Sequence, residues 1–244
     1  MNEDSFEKFT NRRKKKPSSF GRKQENRSKR GNRHEQKQQL NDIINSNLLI
    51  KPGNRIKTMS AGRNIYAEAT VQEEFDTEIG IWDLNKFLGV VSMFANPDLE
   101  FNEKYVDISN GRSSVRYYYS EASLLTTPPR ELKMPDVSVS FDLDESDLNE
   151  ILKASRILQV SDVKIVGSDG ELKMTVDDNS NSTSNSFSVV IDENYTGSDY
   201  EGTINVAEIK FLPGSYKVEL SNSIISRFTH DTQPISYYIA IKRG

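Results

Sequence analysis

The sequence predicts an α+β protein of two similar halves, each an antiparallel sheet with helices on one side. Three observations carry this expectation. Apolar residues alternate at strand period over much of 65–241. Twice the period changes to that of an amphipathic helix, at 84–94 and again at 145–159. The order strand, helix, strands, helix, strands is then read on both sides of a proline-bearing stretch, SEASLLTTPPRELKMPD, at 120–136.

A short polar helix is expected from about Glu35 to Asn45. Ile65, Ala67, Ala69 and Val71 share one face of a first alternating strand, and Phe75, Ile79 and Ile81 one face of a second. Leu84, Phe87, Leu88, Val91 and Phe94 then form the apolar stripe of a helix, with Asp83 where an N-cap acceptor belongs. Strands follow near 105–109 and 113–119. The second half opens with VSVSFDL, whose Val137, Val139, Phe141 and Leu143 point one way. A helix is expected from Glu145 to Gln159 with Asp144 as its cap, then a hairpin turning at Ser168-Asp169-Gly170. Phe187, Val189 and Ile191 mark another strand, 206–210 a short helix, and 216–220, 224–228 and 235–241 the closing strands. Pro128, Pro129 and Pro135 make 120–136 an extended connector. The expected divisions are a disordered basic extension at 1–38, a domain at 39–119, the connector at 120–136, and a domain at 137–244.

Charge is distributed unevenly. The chain of 244 residues has a formal net charge of -4. Residues 1–39 hold 13 Lys and Arg against 5 Asp and Glu, a formal +8, which leaves 19 basic and 31 acidic groups, or -12, for residues 40–244. The extension is nearly free of aliphatic side chains, so it cannot bury enough surface to offset its ordering entropy. Its centre, NRRKKKPSSFGRKQENRSKR, reads as a weak nucleic-acid tether or a passive solvated tail, with a nuclear-localisation reading behind both. An acidic body repels nucleic acid at long range unless its few cations gather on one surface.

Much chemistry is excluded. With no Cys there is no disulfide or thiolate metal site, and the chain suits a reducing cytoplasm. No apolar run approaches the roughly twenty residues that span a bilayer, so no membrane is expected. The two histidines, His34 and His230, make no His-rich metal centre and no nucleophile–histidine–acid set. No phosphate-cradling glycine loop is present. The carboxylates of DLDESD (Asp142, Asp144, Glu145, Asp147) read as helix capping rather than as a metal site. Neither catalysis nor a cofactor is expected. On the helix at 145–159, Leu148, Ile151, Leu152 and Ser155 face the sheet, while Asn149, Lys153 and Arg156 form a separate stripe with two cations. Lys86 and Lys210 have no apolar role either, and all four cations are candidates for phosphate contact.

Several segments resemble, in order, the sliding clamp (DNA polymerase processivity factor) of T4-like bacteriophages. They are NSNLLIKPGNRIKTM, YAEA followed by WDLNKFLG, GRSSV, ILKASRILQV, INVAEIKFLPGSYKVEL and the terminal YYIAI, and together they span about 40–242. The resemblance implies the DNA clamp fold, a subunit of two domains, three of which close into a ring with a helical inner wall. It implies that Lys86, Lys153, Arg156 and Lys210, with Lys37 on the first helix, line the hole around duplex DNA. It also implies partners: the replicative polymerase, an ATPase clamp loader, two further copies of the chain and viral late-transcription factors, all in the cytoplasm of an infected bacterial cell. Partner peptides would dock beside the connector, where Leu124, Leu125, Leu132 and Met134 are nominated together with Tyr237 or Tyr238. The family's short strand before its first helix has no counterpart in RSKRGNRHEQ, and the basic extension lies outside the pattern. Two other readings use the same residues. One is a phage structural protein with a nucleic-acid-binding tail. The other is a single-stranded DNA-binding protein using Tyr117, Tyr118 and Tyr119 beside Arg116.

Overall fold

Hydrophobic alternation on this chain produces sheets that each carry one buried face. The computed structural model describes residues 47–60, 62–128, 132–177, 185–222 and 224–242. The helix expected at 35–45, and Lys37 on it, lie outside these residues. The described chain falls into two compact units, one within Met1–Ala61 and Ala69–Pro128, the other within Gly62–Glu68 and Pro129–Gly244.

In the first unit the strands are β1 (Leu48–Ile50), β2 (Gly53–Met59), β3 (Ile65–Phe75) and β4 (Ile79–Ile81), followed by α1 (Leu84–Ser92). The hairpin strands β5 (Asp98–Phe101), β6 (Tyr105–Ser109) and β7 (Ser114–Tyr118) come next. One sheet runs β4-β1-β2-β3 and the other β5-β6-β7. Antiparallel register sets Leu48 opposite Ile81 and Ile50 opposite Ile79, so the apolar positions of β1 and β4 meet on one face. Phe75 belongs to β3, not to a second strand as expected, because the alternation of Val71, Glu73 and Phe75 carries the strand up to the bend at 76–77. Asp83 caps α1 as expected, its carboxylate accepting the Lys86 N–H at 2.8 Å, which satisfies one of the free donors of the first turn. The helix buries Leu84, Phe87 and Val91. Phe87 meets Tyr117 edge-on, with ring centroids 5.1 Å apart, a favoured aromatic geometry.

The second unit contains β8 (Val137–Leu143), α2 (Glu145–Leu158), β9 (Asp162–Ser168), β10 (Glu171–Val176), β11 (Phe187–Asp192) and β12 (Tyr200–Asn205). A 3₁₀ turn at Val206–Glu208 stands where a short helix was expected, followed by β13 (Tyr216–Ser221), β14 (Ile225–His230) and β15 (Ile235–Ala240). Its sheets run β3-β15-β14-β13-β8 and β11-β10-β9-β12. β3 serves both units, and its first residues, through Glu68, belong to this one. Tyr238 Oη donates to the Glu68 carboxylate at 3.1 Å, and Tyr66 meets Tyr238 edge-on at 5.3 Å.

Helix α2 lies over β9, β10 and β11 with Leu148, Ile151 and Ser155 buried. Asp144 holds the N-cap position with extended backbone but makes no capping bond. The Glu145 N–H is met instead by Ser215 Oγ at 3.2 Å. One orphan donor of the helix start is thereby satisfied from outside, and the Asp144 carboxylate is left to solvent. At the other end Gln159 is left-handed, and Ser155 Oγ donates to the Val160 carbonyl at 2.6 Å. A left-handed residue is a common way to end a helix. The β9–β10 turn has Asp169 at φ 53° and Gly170 at φ 82°. Two successive positive values are what a tight antiparallel hairpin requires. His230 is a packing residue. Its Nδ1 accepts the N–H groups of Thr232 at 3.1 Å and Gln233 at 3.2 Å. With that nitrogen accepting, Nε2 carries the proton and donates to the Pro213 carbonyl at 3.0 Å.

Two glycines make opposite demands. A Cβ on Gly89, mid-helix in α1, would meet nothing within 4 Å. We expect Gly89→Ala to stabilise the first unit by about 0.5–1 kcal/mol in urea unfolding, by lowering the entropy of the unfolded chain. Gly214 has φ +143°, and a Cβ there would collide with His230 Nε2. Gly214→Ala should cost about 2 kcal/mol or more and lower the melting temperature measured by calorimetry.

Candidate nucleic-acid interface and connector

Most cations on the sheets are occupied. Arg116 on β7 stands opposite Asp107 on β6, and its Nε and one terminal nitrogen each donate to the carboxylate at 2.8 Å. Such two-pronged guanidinium–carboxylate pairs are among the stronger surface contacts. The guanidinium hydrogen bond holds the Asp107 carboxyl below the usual carboxylate range. Arg116 also lies 3.9 Å above the Tyr105 ring, a cation–π placement, and Tyr105 in turn meets Tyr118 edge-on. Arg227 pairs with Glu219, Lys242 with Asp162, Lys164 with Glu201 and Lys173 with Glu171. Lys217 on β13, exposed and without such a partner among the described residues, is an exception.

The helices differ. Lys86 on α1 and Lys153 and Arg156 on α2 are exposed, and none of the three has an ion-pair partner among the described residues. Arg156 Nε donates to the Leu152 carbonyl one turn back at 3.0 Å, which fixes the base of its guanidinium and leaves the terminal nitrogens available. Lys86 sits in the first turn of α1, the end where the helix dipole disfavours a cation. It therefore has no stabilising task within its own helix. Lys210, just past the 3₁₀ turn, is half-buried and engaged by neighbouring groups, so it is not a free cation of the same kind. The exposed cations named from the sequence thus stand on α1 in one unit and on α2 in the other.

The connector nominations divide. Leu124, in a 3₁₀ turn at Ala122–Leu124, is 60% exposed, and Leu132 and Met134 are half-buried. Leu125 is only 8% exposed, a correction to the surface position expected for it. Its seat is Gly80 of β4. The Ser120 N–H bonds the Gly80 carbonyl at 2.8 Å. A Cβ on Gly80 would lie 3.1 Å from Leu125 Cδ1 and would collide with the Ser120 carbonyl oxygen. Tyr237 is likewise interior, 5% exposed and stacked on Phe211 at 4.5 Å. Burial pushes its hydroxyl up to about 12. Tyr238 is buried against Tyr66 and Glu68. Neither tyrosine offers a face to a partner in this conformation. Exposed apolar residues that the sequence reading passed over include Trp82, Met93 and Ile157. Trp82 carried a signal, since strand period puts it on the face opposite Ile79 and Ile81.

The tyrosine cluster gives no stacking platform. Tyr117 packs on Phe87, while Tyr119 is half-buried with its hydroxyl pushed up to about 12 by burial. Arg116 is committed to Asp107 and Tyr105. That removes the arrangement a single-stranded DNA reading needs. Among the described residues no group of three His, Cys, Asp or Glu side chains could hold a metal ion, and no helix is long and apolar enough to cross a membrane.

Comparison with known proteins bears on the family and the fold. A family model described as gp45 sliding clamp, C terminal, matches residues 140–243. The sliding clamp of Enterobacteria phage T4 is 30% identical over 186 residues, covering 72% of this chain and 80% of that protein. The sliding clamp of Escherichia phage RB69 is 29% identical over 209 residues, covering 82% of this chain and 90% of that protein. Among solved structures, A. fulgidus PCNA bound to the C-terminal region of FEN-1 superimposes with a TM-score of 0.65 at 11% identity, over 86% of this chain and 94% of that one. A DNA polymerase sliding clamp from Pseudomonas aeruginosa gives 0.61 at 13% identity, over 86% of this chain and 62% of that one. At such identities the structural likeness establishes the DNA clamp fold alone.

The two connector leucines should respond differently to the same change. Leu125→Asp buries a carboxylate against Gly80, so we expect a loss of about 3 kcal/mol or more in urea unfolding. Leu124→Asp, at the surface, should stay within about 0.5 kcal/mol of the parent.

Proposed function

We infer how this chain works from the family it belongs to, the sliding clamps: it is a DNA polymerase processivity factor, held on duplex DNA and holding the polymerase there. The observation that carries the reading into residues is the contrast just described, with cations on the sheets mostly paired and the named cations on α1 and α2 free. Contacts from Lys86, Lys153 and Arg156 to phosphate carry no sequence information, as a mobile tether requires. Lys210 and Lys37 are weaker members of the proposed set.

Persistence on DNA is assigned to topology. We take three copies to close into a ring, so that escape needs opening or a free end rather than the loss of contacts. Two sheet edges support association between copies: β7 ends one sheet and β11 another, and each carries an exposed apolar side chain, Tyr118 and Val190. An edge of one kind meeting an edge of the other is a heterologous contact, which closes into a ring when the rotation allows. The polymerase then gains a high effective concentration at its template. The polymerase and other partners are proposed to dock a short apolar peptide beside the connector, with Leu124, Leu132 and Met134, each of them accessible, as the nominated residues. An ATP-driven loader, viral late-transcription factors and the cytoplasm of an infected bacterium complete the proposed setting. No catalytic step is assigned to the chain.

The test is retention. Placed on nicked circular duplex by its loader, the chain should remain through a wash at about 0.5 M salt, where phosphate contacts alone would fail, and run off once the circle is cut. A protein held by its basic extension would leave both substrates alike as salt rises. Deleting residues 1–38 should preserve the difference between circle and line. Native mass spectrometry should give three times the 27.7 kDa chain, and a stable monomer would remove the ring. Leu124→Asp should lower polymerase stimulation without changing that mass. Unchanged stimulation would move the docking surface elsewhere.

A further inference from the structure

The exposed face of α2 is not uniformly basic. Asp144, Glu145, Asp147 and Glu150 occupy the cap and the first turns, and Lys153 and Arg156 the last ones. Glu150 stands beside the stripe: Glu150, Lys153 and Ile157, at i, i+3 and i+7, are exposed together on one face.

The helix dipole explains only part of this pattern. Its field favours acids in the first turn, which accounts for Glu145 and Asp147. That field has faded by the sixth helical residue, where Glu150 stands. An i,i+3 ion pair with Lys153 would be another explanation, yet neither side chain has an ion-pair partner among the described residues. The acids are mutually unscreened. Burial, then the charges of Asp144 and Glu150, push the Asp147 carboxyl up. Glu150 is thus an exposed, unpaired carboxylate at the boundary between the acidic and basic halves of one helix.

We propose that Glu150 is a repulsive boundary residue, confining phosphate contact to the last two turns of α2 and keeping the grip weak enough for sliding. This rests on the clamp reading above. At about 1.5 Å rise per residue, Glu150 stands about 4.5 Å along the axis from Lys153 and about 9 Å from Arg156. Both lie within the Debye length of about 10 Å at 0.1 M salt, so a phosphate held by either cation feels the carboxylate. Reversing the charge extends the basic stripe by one turn. One added contact changes the salt slope by about 0.9, equivalent to about threefold in affinity between 50 and 200 mM.

The measurement is one-dimensional diffusion of the labelled full chain, placed by its loader on stretched duplex with both ends blocked. Glu150→Lys should diffuse more slowly than the parent at 50 mM salt, by a factor that falls about threefold between 50 and 200 mM. Glu150→Gln, nearly isosteric, should fall between them, and the differences should vanish by about 0.5 M. Glu193→Lys makes the same change in net charge on the loop after β11 and should diffuse like the parent. If Glu150→Lys and Glu193→Lys slow diffusion equally, or Glu150→Gln and Glu150→Lys both match the parent, the boundary role is overturned while the clamp reading stands. If the parent leaves end-blocked duplex as readily as open duplex, the clamp reading itself fails.

Discussion

The cation-bearing face of the second unit depends on how α2 is seated. Leu148, Ile151 and the Ser155 hydroxyl are held against β9, β10 and β11, and that choice of buried stripe determines everything on the opposite side. Because residues three and four apart share a helix face, burying 148, 151 and 155 puts Asn149, Glu150, Lys153 and Arg156 in water. The seat is fixed at both ends, by Ser215 at the first turn and by the Ser155–Val160 bond at the last. α1 follows the same logic on a smaller scale. Leu84, Phe87 and Val91 turn inward, Asp83 closes the start, and Lys86 is left outside. Rotation by one residue would bury Arg156 of α2 in one sense and Lys86 of α1 in the other.

Charge on the sheets is managed differently. Glu219, Arg227 and Tyr238 occupy directly opposed positions on β13, β14 and β15, and Tyr238 passes the row on to Glu68 on β3. Asp107 and Arg116 do the same across β6 and β7. Such cross-strand pairs add modest stability, but they also neutralise the surface they occupy. Duplex DNA finds few unpaired cations there to attract it. The acidic excess of residues 40–244 adds long-range repulsion. Both effects favour contact through the helices over contact through the sheets, with no base read.

Much of this was legible in the sequence, for identifiable reasons. The strand at Tyr105–Ser109, both long helices and the Asp169-Gly170 turn follow from periodicity and from residues that tolerate positive φ. Cationic positions on α2 could be read because helical spacing fixes exposure. What could not be read depended on long-range packing. Leu125 lies in an extended segment without period, so nothing local tells it from Leu124. Its burial comes from Gly80, forty-five positions earlier, where the missing Cβ admits the Ser120 carbonyl. Tyr237 resisted for a related reason. A strand tyrosine can point to either side, and Phe211, from an irregular stretch, settles which. Assignment of 62–68 to the second unit is a property of the whole sheet that no window of sequence contains.

Holding DNA and moving along it conflict, and on the proposed reading the few free cations of α1 and α2 bear on how the conflict is resolved. A protein making six to ten phosphate contacts loses roughly 10³–10⁵ in affinity between 50 and 200 mM salt. Such a protein would be anchored at low salt and lost at moderate salt. Here α1 offers Lys86 and α2 offers Lys153 and Arg156, and Glu150 stands beside the latter two unpaired. So small a set cannot secure a polymerase by contact alone. A weak set is nevertheless useful once escape is blocked by other means, because each contact then breaks and reforms without loss of the molecule. Strengthening the helices would work against motion, and adding cations to the sheets would create competing sites. Sparse free charge on the helices is therefore the condition under which the proposed ring would remain mobile on its track.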